Sequence, residues 1–205
     1  AQETQLHKLV LLGGSSVISG ISCQVIYTEA GFPCLNGGTH AGLGLAYLLD
    51  RGRQFLSPGD TVLLVLEYEH YFDQGRPPTA FINHVFARDP DYLLSADLLT
   101  QVYLWGGLSP SRLLKGLEMR FTQTALAASP TTGRFACDES DTYCADTINE
   151  FGDETGNRRE AMTPDLKQRI ANLTPKRFAS QEALISDYVV RTINDFLVWC
   201  QDNQI

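Results

Sequence analysis

The sequence lacks the features that mark several large classes of protein. It has no stripe of lysine and arginine, and its formal net charge is −8, so binding to a phosphate backbone is disfavoured. Its longest apolar runs, Leu9–Leu12 and Val62–Leu66, are far shorter than the roughly 18 residues that cross a bilayer. We therefore predict no nucleic-acid partner and no transmembrane helix. The first residues do not resemble a signal peptide, so we expect either a cytoplasmic protein or a removed signal or membrane anchor.

The five cysteines include no CxxC pair, which removes the usual signature of zinc sites and of thioredoxin-like redox sites. Two pairs lie close enough along the chain to form disulfides. Cys137 and Cys144 flank a polar loop, and Cys23 precedes Cys34 by a short segment. The alternative is that all five are thiols. Export would favour bridging, because disulfides persist in oxidising compartments.

The first third of the chain alternates between strand and helix patterns. Strands are predicted over 7–13, around Pro33–Asn36 and over Thr61–Tyr68, with helices over 16–30 and 40–56. This order predicts an α/β fold: a parallel sheet with right-handed crossovers and helices on both faces, in three layers. The side chains expected to face inward from the two helices are Val17, Ile18, Ile21, Val25, Ile26, Leu43, Ala46, Leu48, Leu49 and Phe55.

The remainder of the chain reads as an insertion and a final helix. We predict a loop over 71–91, helices over 92–105 and 109–128, and a polar irregular segment over 129–160. A long helix over 180–201 is expected, capped by Ser180, with Ile185, Tyr188, Val189, Phe196 and Trp199 on its buried side. Residues 1–205 are thus interpreted as one domain: a core at 1–70, an insertion at 71–179 and the helix at 180–201. Because few strands are evident, we expect further strands beyond Ile205.

Ser16 stands directly after the first strand, within a Gly14–Gly20 segment of the form G-x-S-x-x-x-G. A serine on a tight strand-to-helix turn exposes its hydroxyl, and its N–H lies at the positive end of a helix. Both features suit attack on an ester and stabilisation of an oxyanion. The alternative is that Ser15 or Ser16 only caps the helix.

The other two predicted strands also end in polar residues, at the edge where open α/β sheets bind ligands. After the second strand, Asn36 and Gly38 could bring an amide and a backbone N–H to a substrate oxygen, or the segment could be a turn with Thr39 as helix cap. After the third, Glu67, Glu69 and His70 cluster, with His40 at the same edge. A metal site there is a weak alternative to solvated loop residues.

These three blocks together resemble the SGNH/GDSL hydrolase superfamily. The segments LGGSSVISGI, CLNGGTHAGLGLAYLLD and SPGDTVLLVLEYEHY are similar to a bacterial group of SGNH-like proteins that are often exported or membrane-anchored. The resemblance covers residues 8–71. It implies Ser16 as the nucleophile and the N–H groups of Ser16 and Gly38 as oxyanion donors, with Asn36 beside them.

The chain departs from that superfamily in its first, third and last blocks. Ser15 replaces an aspartate, and the third block has Glu67 and His70 where the superfamily has GxND; Tyr68 could take over the role of the missing Asn. No DxxH motif supplies the base, and Asp153, a possible partner carboxylate, is not followed by a histidine. Either the base lies beyond Ile205, or His40 or His70 serves as base, or the domain is inactive.

The resemblance implies a serine esterase or O-acyltransferase without a cofactor, acting on a small acyl ester or an acylated carbohydrate outside the cytoplasm. The alternative is a catalytically inactive carbohydrate-binding or assembly module. A phosphate or nucleotide binder is a weaker reading, because neither a Walker lysine nor a complete GxGxxG is present. The oligomeric state does not follow from the sequence.

Overall fold

A three-stranded parallel sheet organises the part of the chain that is described. The computed structural model describes residues 7–76, 79–107, 147–156, 164–173 and 185–205, with Ser111 and Leu114. The strands are β1 (Leu9–Gly13), β2 (Cys34–Asn36) and β3 (Thr61–Val65), in the order β2-β1-β3. This confirms an α/β fold with a parallel sheet.

Helices connect and follow the strands. Helices α1 (Ser15–Gly20) and α2 (Cys23–Ala30) precede β2, and a 3-10 turn (Ala41–Leu43) and α3 (Leu45–Arg53) precede β3. The helices described after β3 are α4 (Tyr68–Tyr71), α5 (Thr79–Arg88), α6 (Pro90–Ser95), α7 (Leu98–Gly106), α8 (Pro164–Ala171) and α9 (Asp187–Asp202). Within the described ranges, no helix combines the length and apolarity needed to cross a bilayer.

The central strand β1 contributes to two separate hydrophobic clusters, because alternate residues of a strand point to opposite faces. Val10 and Leu12 pack with side chains of α3 and α9, among them Leu45 and Phe196. Leu11 packs instead with Val17, Cys23 and Cys34. A third cluster joins α3 to the helices that follow β3, through Tyr47, Phe81, Ile82, Val85, Leu93 and Leu104.

The predicted helix over 16–30 is two helices. Helix α1 ends at Gly20, and Ser22 starts α2, where its hydroxyl accepts the N–H of Val25 at 3.2 Å. A capping serine competes with helix continuation in this way because its side chain replaces a backbone acceptor. Val25 and Phe55, both expected to face inward, are exposed; Phe55 lies beyond α3, which ends at Arg53.

Four further parts of the chain differ from the prediction. The segment 71–91 contains helix α5 instead of a continuous loop, and the helix expected over 92–105 is divided where Asp97 caps α7. The third strand ends at Val65 instead of continuing to Tyr68, which begins α4. At the end of the chain, Ser186 caps α9 through the N–H of Val189, whereas Ser180, the predicted cap, lies outside the described residues. Ile185, expected to be buried, lies outside that helix and is exposed.

Cys23 and Cys34 form a disulfide, with their Cα atoms 5.0 Å apart. The bridge joins the first residue of α2 to the first residue of β2, and both residues are buried. The predicted helix over 109–128, except Ser111 and Leu114, the Cys137–Cys144 pair and Ser180 lie outside the described residues. Much of the irregular segment over 129–160 does so too.

Candidate functional site

Strand register brings the ends of β1 and β3 together. Gly13 pairs with Val65, so Ser16 and Glu67 both lie just beyond neighbouring strand ends. The Glu67 carboxylate accepts the backbone N–H of Ser16 through Oε1 at 2.8 Å. Ser16 itself is exposed. The N–H predicted to stabilise an oxyanion therefore already donates its hydrogen bond to a carboxylate oxygen of the protein.

The two glycines at the end of β1 make this close approach possible. A Cβ on Gly13 would lie 2.1 Å from the carbonyl oxygen of Val65, inside the β1–β3 ladder. A Cβ on Gly14 would lie 1.9 Å from Oε2 of Glu67. Helix α1 begins after Gly14 with no side-chain hydrogen bond at its cap, so the interpretation that Ser15 or Ser16 caps it is wrong.

Glu67 and His70 form a reciprocal cap at the start of α4. The Glu67 N–H donates to Nδ1 of His70 at 3.2 Å, and Oε2 of Glu67 lies 3.3 Å from the same nitrogen. His70 is 2% exposed, and this burial lowers its pKa below the usual 6.5, although Glu67, Asp73 and Glu69 oppose the shift. The ring is therefore neutral at pH 7. Because Nδ1 accepts a hydrogen bond, its proton is on Nε2, which has no partner among the described residues.

The loop after β2 packs against both the end of β1 and helix α1. The N–H of Gly37 donates to Leu11 at 2.8 Å, and the N–H of Thr39 donates to Gly13 at 2.9 Å. A Cβ on Gly38 would lie 2.5 Å from the backbone nitrogen of Ile18, so only glycine fits there. Gly38 therefore lies against the helix that contains Ser16, and the role of the two N–H groups as oxyanion donors stays a prediction.

The side chain of Asn36 is fully engaged within the protein. Its Oδ1 accepts the N–H of Gly38 at 3.0 Å, and its Nδ2 donates to the carbonyls of Val17 and Ile21 at 3.1 and 2.9 Å. The same Nδ2 also lies 3.1 Å from Oδ1 of Asp153. Asn36 therefore fixes the loop that carries Gly38 against α1.

Asp153 is the residue of this site whose role the sequence analysis missed. Its buried carboxylate accepts hydrogen bonds from the hydroxyl of Ser22 and the N–H groups of Cys23 and Gln24, each at 2.8 Å, besides that of Asn36. Burial alone would raise the pKa of this carboxyl group, but the hydrogen bonds outweigh burial and lower it. The sequence suggests Asp153 only as the partner of a histidine, whereas its carboxylate caps the first turn of α2.

Gly152 lets the segment around Asp153 lie on the end of β2. Its φ of 82° is left-handed, and a Cβ there would be 2.2 Å from the carbonyl oxygen of Asn36. The neighbouring carbonyl of Phe151 accepts the N–H of Asn36 at 2.8 Å, and the N–H of Glu154 donates to Ile18 at 3.1 Å. We call residues 147–156 the clamp segment.

His40 has a local role in the described structure. It is exposed, and its Nδ1 accepts the N–H of Gly42 at 2.9 Å, which caps the 3-10 turn. Thr39, the alternative cap considered from the sequence, has a buried hydroxyl oxygen without a hydrogen-bond partner in the described ranges. His40 and His70 thus both use Nδ1 as an acceptor. Among the described residues, no group of three or more His, Cys, Asp or Glu is placed to hold a metal ion.

Comparisons with models of known protein families, with curated proteins and with solved structures find no match to this chain.

Proposed function

We propose that the chain is an SGNH-like serine esterase or O-acyltransferase whose nucleophile is Ser16. The observation that carries the proposal is the 2.8 Å hydrogen bond from the Ser16 N–H to an anionic oxygen of Glu67. A donor that holds a carboxylate oxygen beside an exposed hydroxyl is suited to hold the oxyanion of a tetrahedral intermediate. The substrate class is an acyl ester, including one carried by a carbohydrate.

In this mechanism the Ser16 hydroxyl attacks the acyl carbon and its proton passes to a base. The N–H groups of Ser16 and Gly38 stabilise the oxyanion, so the oxygens of Glu67 and Asn36 that they now contact have to withdraw. The ester C–O bond then breaks, and the protonated base gives its proton to the leaving alkoxide, which departs as the alcohol. The base next takes a proton from water or an acceptor hydroxyl, which attacks the acyl group, and it returns this proton to the Ser16 oxygen as the acyl–serine bond breaks. Either His40 or His70 serves as base once the backbone N–H that now donates to its Nδ1 is released, since Nδ1 is the ring nitrogen without a proton.

The buried Cys23–Cys34 disulfide supports a location outside the cytoplasm, because reducing compartments disfavour such bridges. An exported protein acting on acylated surface carbohydrate is consistent with that chemistry.

The test is labelling by a fluorophosphonate probe together with turnover of an acetyl ester. We expect the wild-type chain to be labelled and Ser16→Ala to lose both signals. Ser19→Ala, an exposed serine of the same helix, is the matched control and should behave as wild type. Equal labelling of the wild type and Ser16→Ala would remove Ser16 from the mechanism.

Glu67→Ala tests the role of the internal carboxylate. Because it frees the Ser16 N–H, we expect labelling of Ser16 to become faster by roughly a hundredfold, the lower end of the effect of one oxyanion donor. A slower reaction would mean that Glu67 assists catalysis instead of occupying the site.

A second function, a catalytically inactive carbohydrate-binding module, is favoured by one observation. Both expected oxyanion donors are engaged by side chains of the protein, Ser16 by Glu67 and Gly38 by Asn36. Absence of labelling in both the wild type and Glu67→Ala, with glycan binding retained, would favour this function over the esterase.

A further inference from the structure

Helix α7 presents an apolar face to the outside of the molecule. At about 3.6 residues per turn, six of its positions lie side by side on an arc of roughly 160° of the helix surface. In order around the axis they are Trp105, Leu98, Val102, Gly106, Leu99 and Tyr103. The five side chains among them are between 47% and 79% exposed. We call this arc the α7 face; it is wider than the apolar stripe of about 100° that a helix of a globular protein usually turns to its core.

The opposite side of α7 attaches the helix to the protein. Leu104 is fully buried in the cluster that contains Ile82. A Cβ on Gly107 would lie 2.7 Å from the side chain of Ile82, so the end of the helix also packs closely. The start of the helix is fixed by its cap, where the N–H of Thr100 donates to Asp97 at 3.0 Å. Because both ends are anchored, the helix cannot rotate to bury the α7 face against its own protein.

The exposed area of the α7 face matches what one subunit contributes to a stable interface. Large side chains have roughly 150–250 Å² each when fully open, so the exposed fractions of the α7 face and of Leu94, at the end of α6, leave roughly 700 Å² uncovered. The largest apolar patch of a typical monomer measures about 300–600 Å². Two copies joined through this surface bury roughly 1,400 Å², within the range of specific protein–protein interfaces.

Charge favours a second copy of the chain over a membrane as the partner. The α7 face has no charged residue, and its two aromatic residues are of the types enriched in the centre of interfaces. Each chain has a net charge of −8, so two copies meet with the least repulsion at a face without charge. From residue 89 to residue 107 the charged residues are all aspartates, whereas helices that lie on anionic membranes carry Lys and Arg beside their apolar face.

Gly106 leaves room for a second helix to approach closely. Among the described residues outside its own helix turn, no heavy atom lies within 4 Å of its Cβ position. In a two-fold arrangement the same face serves both partners, so the residue in its middle meets its own copy. Val102 is that residue, because Leu98 and Gly106 lie one turn to either side of it on the α7 face.

We propose that a second copy of this chain covers the α7 face, in a homodimer whose two α7 helices pack on each other around a two-fold axis near Val102. The inference does not rest on the proposed function. A dimer without esterase activity supports the interface, and a monomeric esterase overturns it.

The test is sedimentation equilibrium of the full chain over a range of micromolar concentrations. We expect a concentration-dependent species of twice the mass of the chain. Val102→Asp brings two carboxylates together in an apolar contact and should raise the dimer Kd by about thirtyfold or more, the scale of a central interface residue. Because Val102 is exposed in the single chain, the variant should fold, and unchanged far-ultraviolet circular dichroism shows that it does.

Val198→Asp is the matched control, since Val198 is a valine of helix α9 with nearly the same exposure as Val102. It should keep the wild-type Kd. Leu99→Ser removes an apolar side chain from the α7 face without adding charge and should also weaken the dimer. An unchanged Kd in both Val102→Asp and Leu99→Ser would overturn the proposal, because the interface would then lie elsewhere.

A wild-type chain that is monomeric at every concentration would also overturn it. Vesicles of phosphatidylcholine then identify the alternative partner. Binding of the monomer to these vesicles, with loss of binding in Val102→Asp, would make the α7 face a membrane-binding surface.

Discussion

Asp153 joins three parts of the chain through one buried carboxylate. Its partners are the cap and first turn of α2, at Ser22, Cys23 and Gln24, and the amide of Asn36 at the end of β2. Hydrogen bonds to a charged acceptor are among the stronger ones in proteins. Removing this acceptor also leaves several donors unpaired away from water.

We expect Asp153→Ala to lower the free energy of unfolding by about 3 kcal/mol, since an acceptor of several charge-assisted hydrogen bonds is lost. Urea denaturation followed by circular dichroism measures the change. Asp165→Ala, an exposed aspartate of α8, is the control and should stay within about 0.5 kcal/mol of the wild type. If Asp153→Ala lowers the free energy of unfolding no more than the control does, Asp153 does not hold the clamp segment in place.

His70 should make stability depend on pH. Its pKa in the folded protein lies below the usual 6.5 because the ring is buried, so the unfolded chain takes up a proton first as the pH falls. Stability is therefore complete above pH 6.5 and is lost below it, by up to about 1.4 kcal/mol per pH unit until the folded protein also binds the proton.

His70→Asn should flatten that dependence, because the Asn oxygen can accept the Glu67 N–H in place of Nδ1 but does not titrate. The measurement is a series of urea denaturation curves between pH 7.5 and 5. His40→Asn keeps the acceptor for Gly42 at an exposed position and should retain the wild-type slope. If the free energy of unfolding changes equally with pH in the wild type and in His70→Asn, another group causes the pH dependence.

At the scale of elements, the end of β1 depends on the absence of a side chain at Gly13. We expect Gly13→Ala to destabilise the protein by about 3 kcal/mol or more, because the carbonyl of Val65 that it would strike belongs to the sheet and cannot move alone. Gly20→Ala is the control: among the described residues outside its own helix turn, no heavy atom lies within 4 Å of its Cβ position.

Gly20 lies in α1, so alanine there should stabilise the protein by about 0.5–1 kcal/mol. Thermal denaturation of the two variants compares them directly. Similar effects of both substitutions would mean that the β1–β3 contact tolerates a methyl group.

The regular elements were largely predictable and their interruptions were not. Continuous aliphatic runs mark β1 and β3, as is typical of parallel strands, although only β1 is buried on both faces and Leu63 of β3 is 49% exposed. The break between α1 and α2 depends on the Ser22 cap and on Asp153, more than a hundred residues later, and no local pattern contains that contact. Likewise, α4 depends on the pairing of Glu67 with His70, which the sequence analysis took for solvated loop residues.

Apolar periodicity also proved an incomplete guide to burial. It correctly indicated Val17, Leu48 and Leu49 as core residues. In α7, however, Leu98 and Leu99 are 77% and 79% exposed, while Leu104 of the same helix is fully buried. A helix with apolar residues around most of its circumference does not reveal which face its neighbours cover.

At the scale of the whole molecule, the Cys23–Cys34 disulfide acts through the unfolded chain. It closes a segment of 11 residues, for which loop-closure entropy predicts a stabilisation of about 3 kcal/mol. We expect Cys23→Ala/Cys34→Ala to lose about that amount in urea denaturation. A reductant should lower the stability of the wild type by that amount and leave the double variant unchanged. An equal loss of stability in both proteins would locate the stabilising bridge elsewhere.

The whole fold also determines which of the predicted site residues lie close together. Ser16, Asn36 and Gly38 come together because the strand ends share one edge, which parallel topology implies. That the N–H of Ser16 is occupied by Glu67 could not be predicted, since it depends on the register between Gly13 and Val65 and on the close approach that two glycines allow.

The clamp segment has a consequence for the order of events during synthesis. Asp153 is made 117 residues after Asn36, so at about 5–20 residues per second the chain grows for roughly 6 to 23 s between the two. Strand β3 ends at Val65, so for the later part of that interval all three strands have been made, while the amide of Asn36 and the first turn of α2 lack their acceptor. A ribosome-bound chain stopped before residue 153 should therefore present the edge around Ser16 without the contacts that the clamp segment makes to Asn36 and to the first turn of α2.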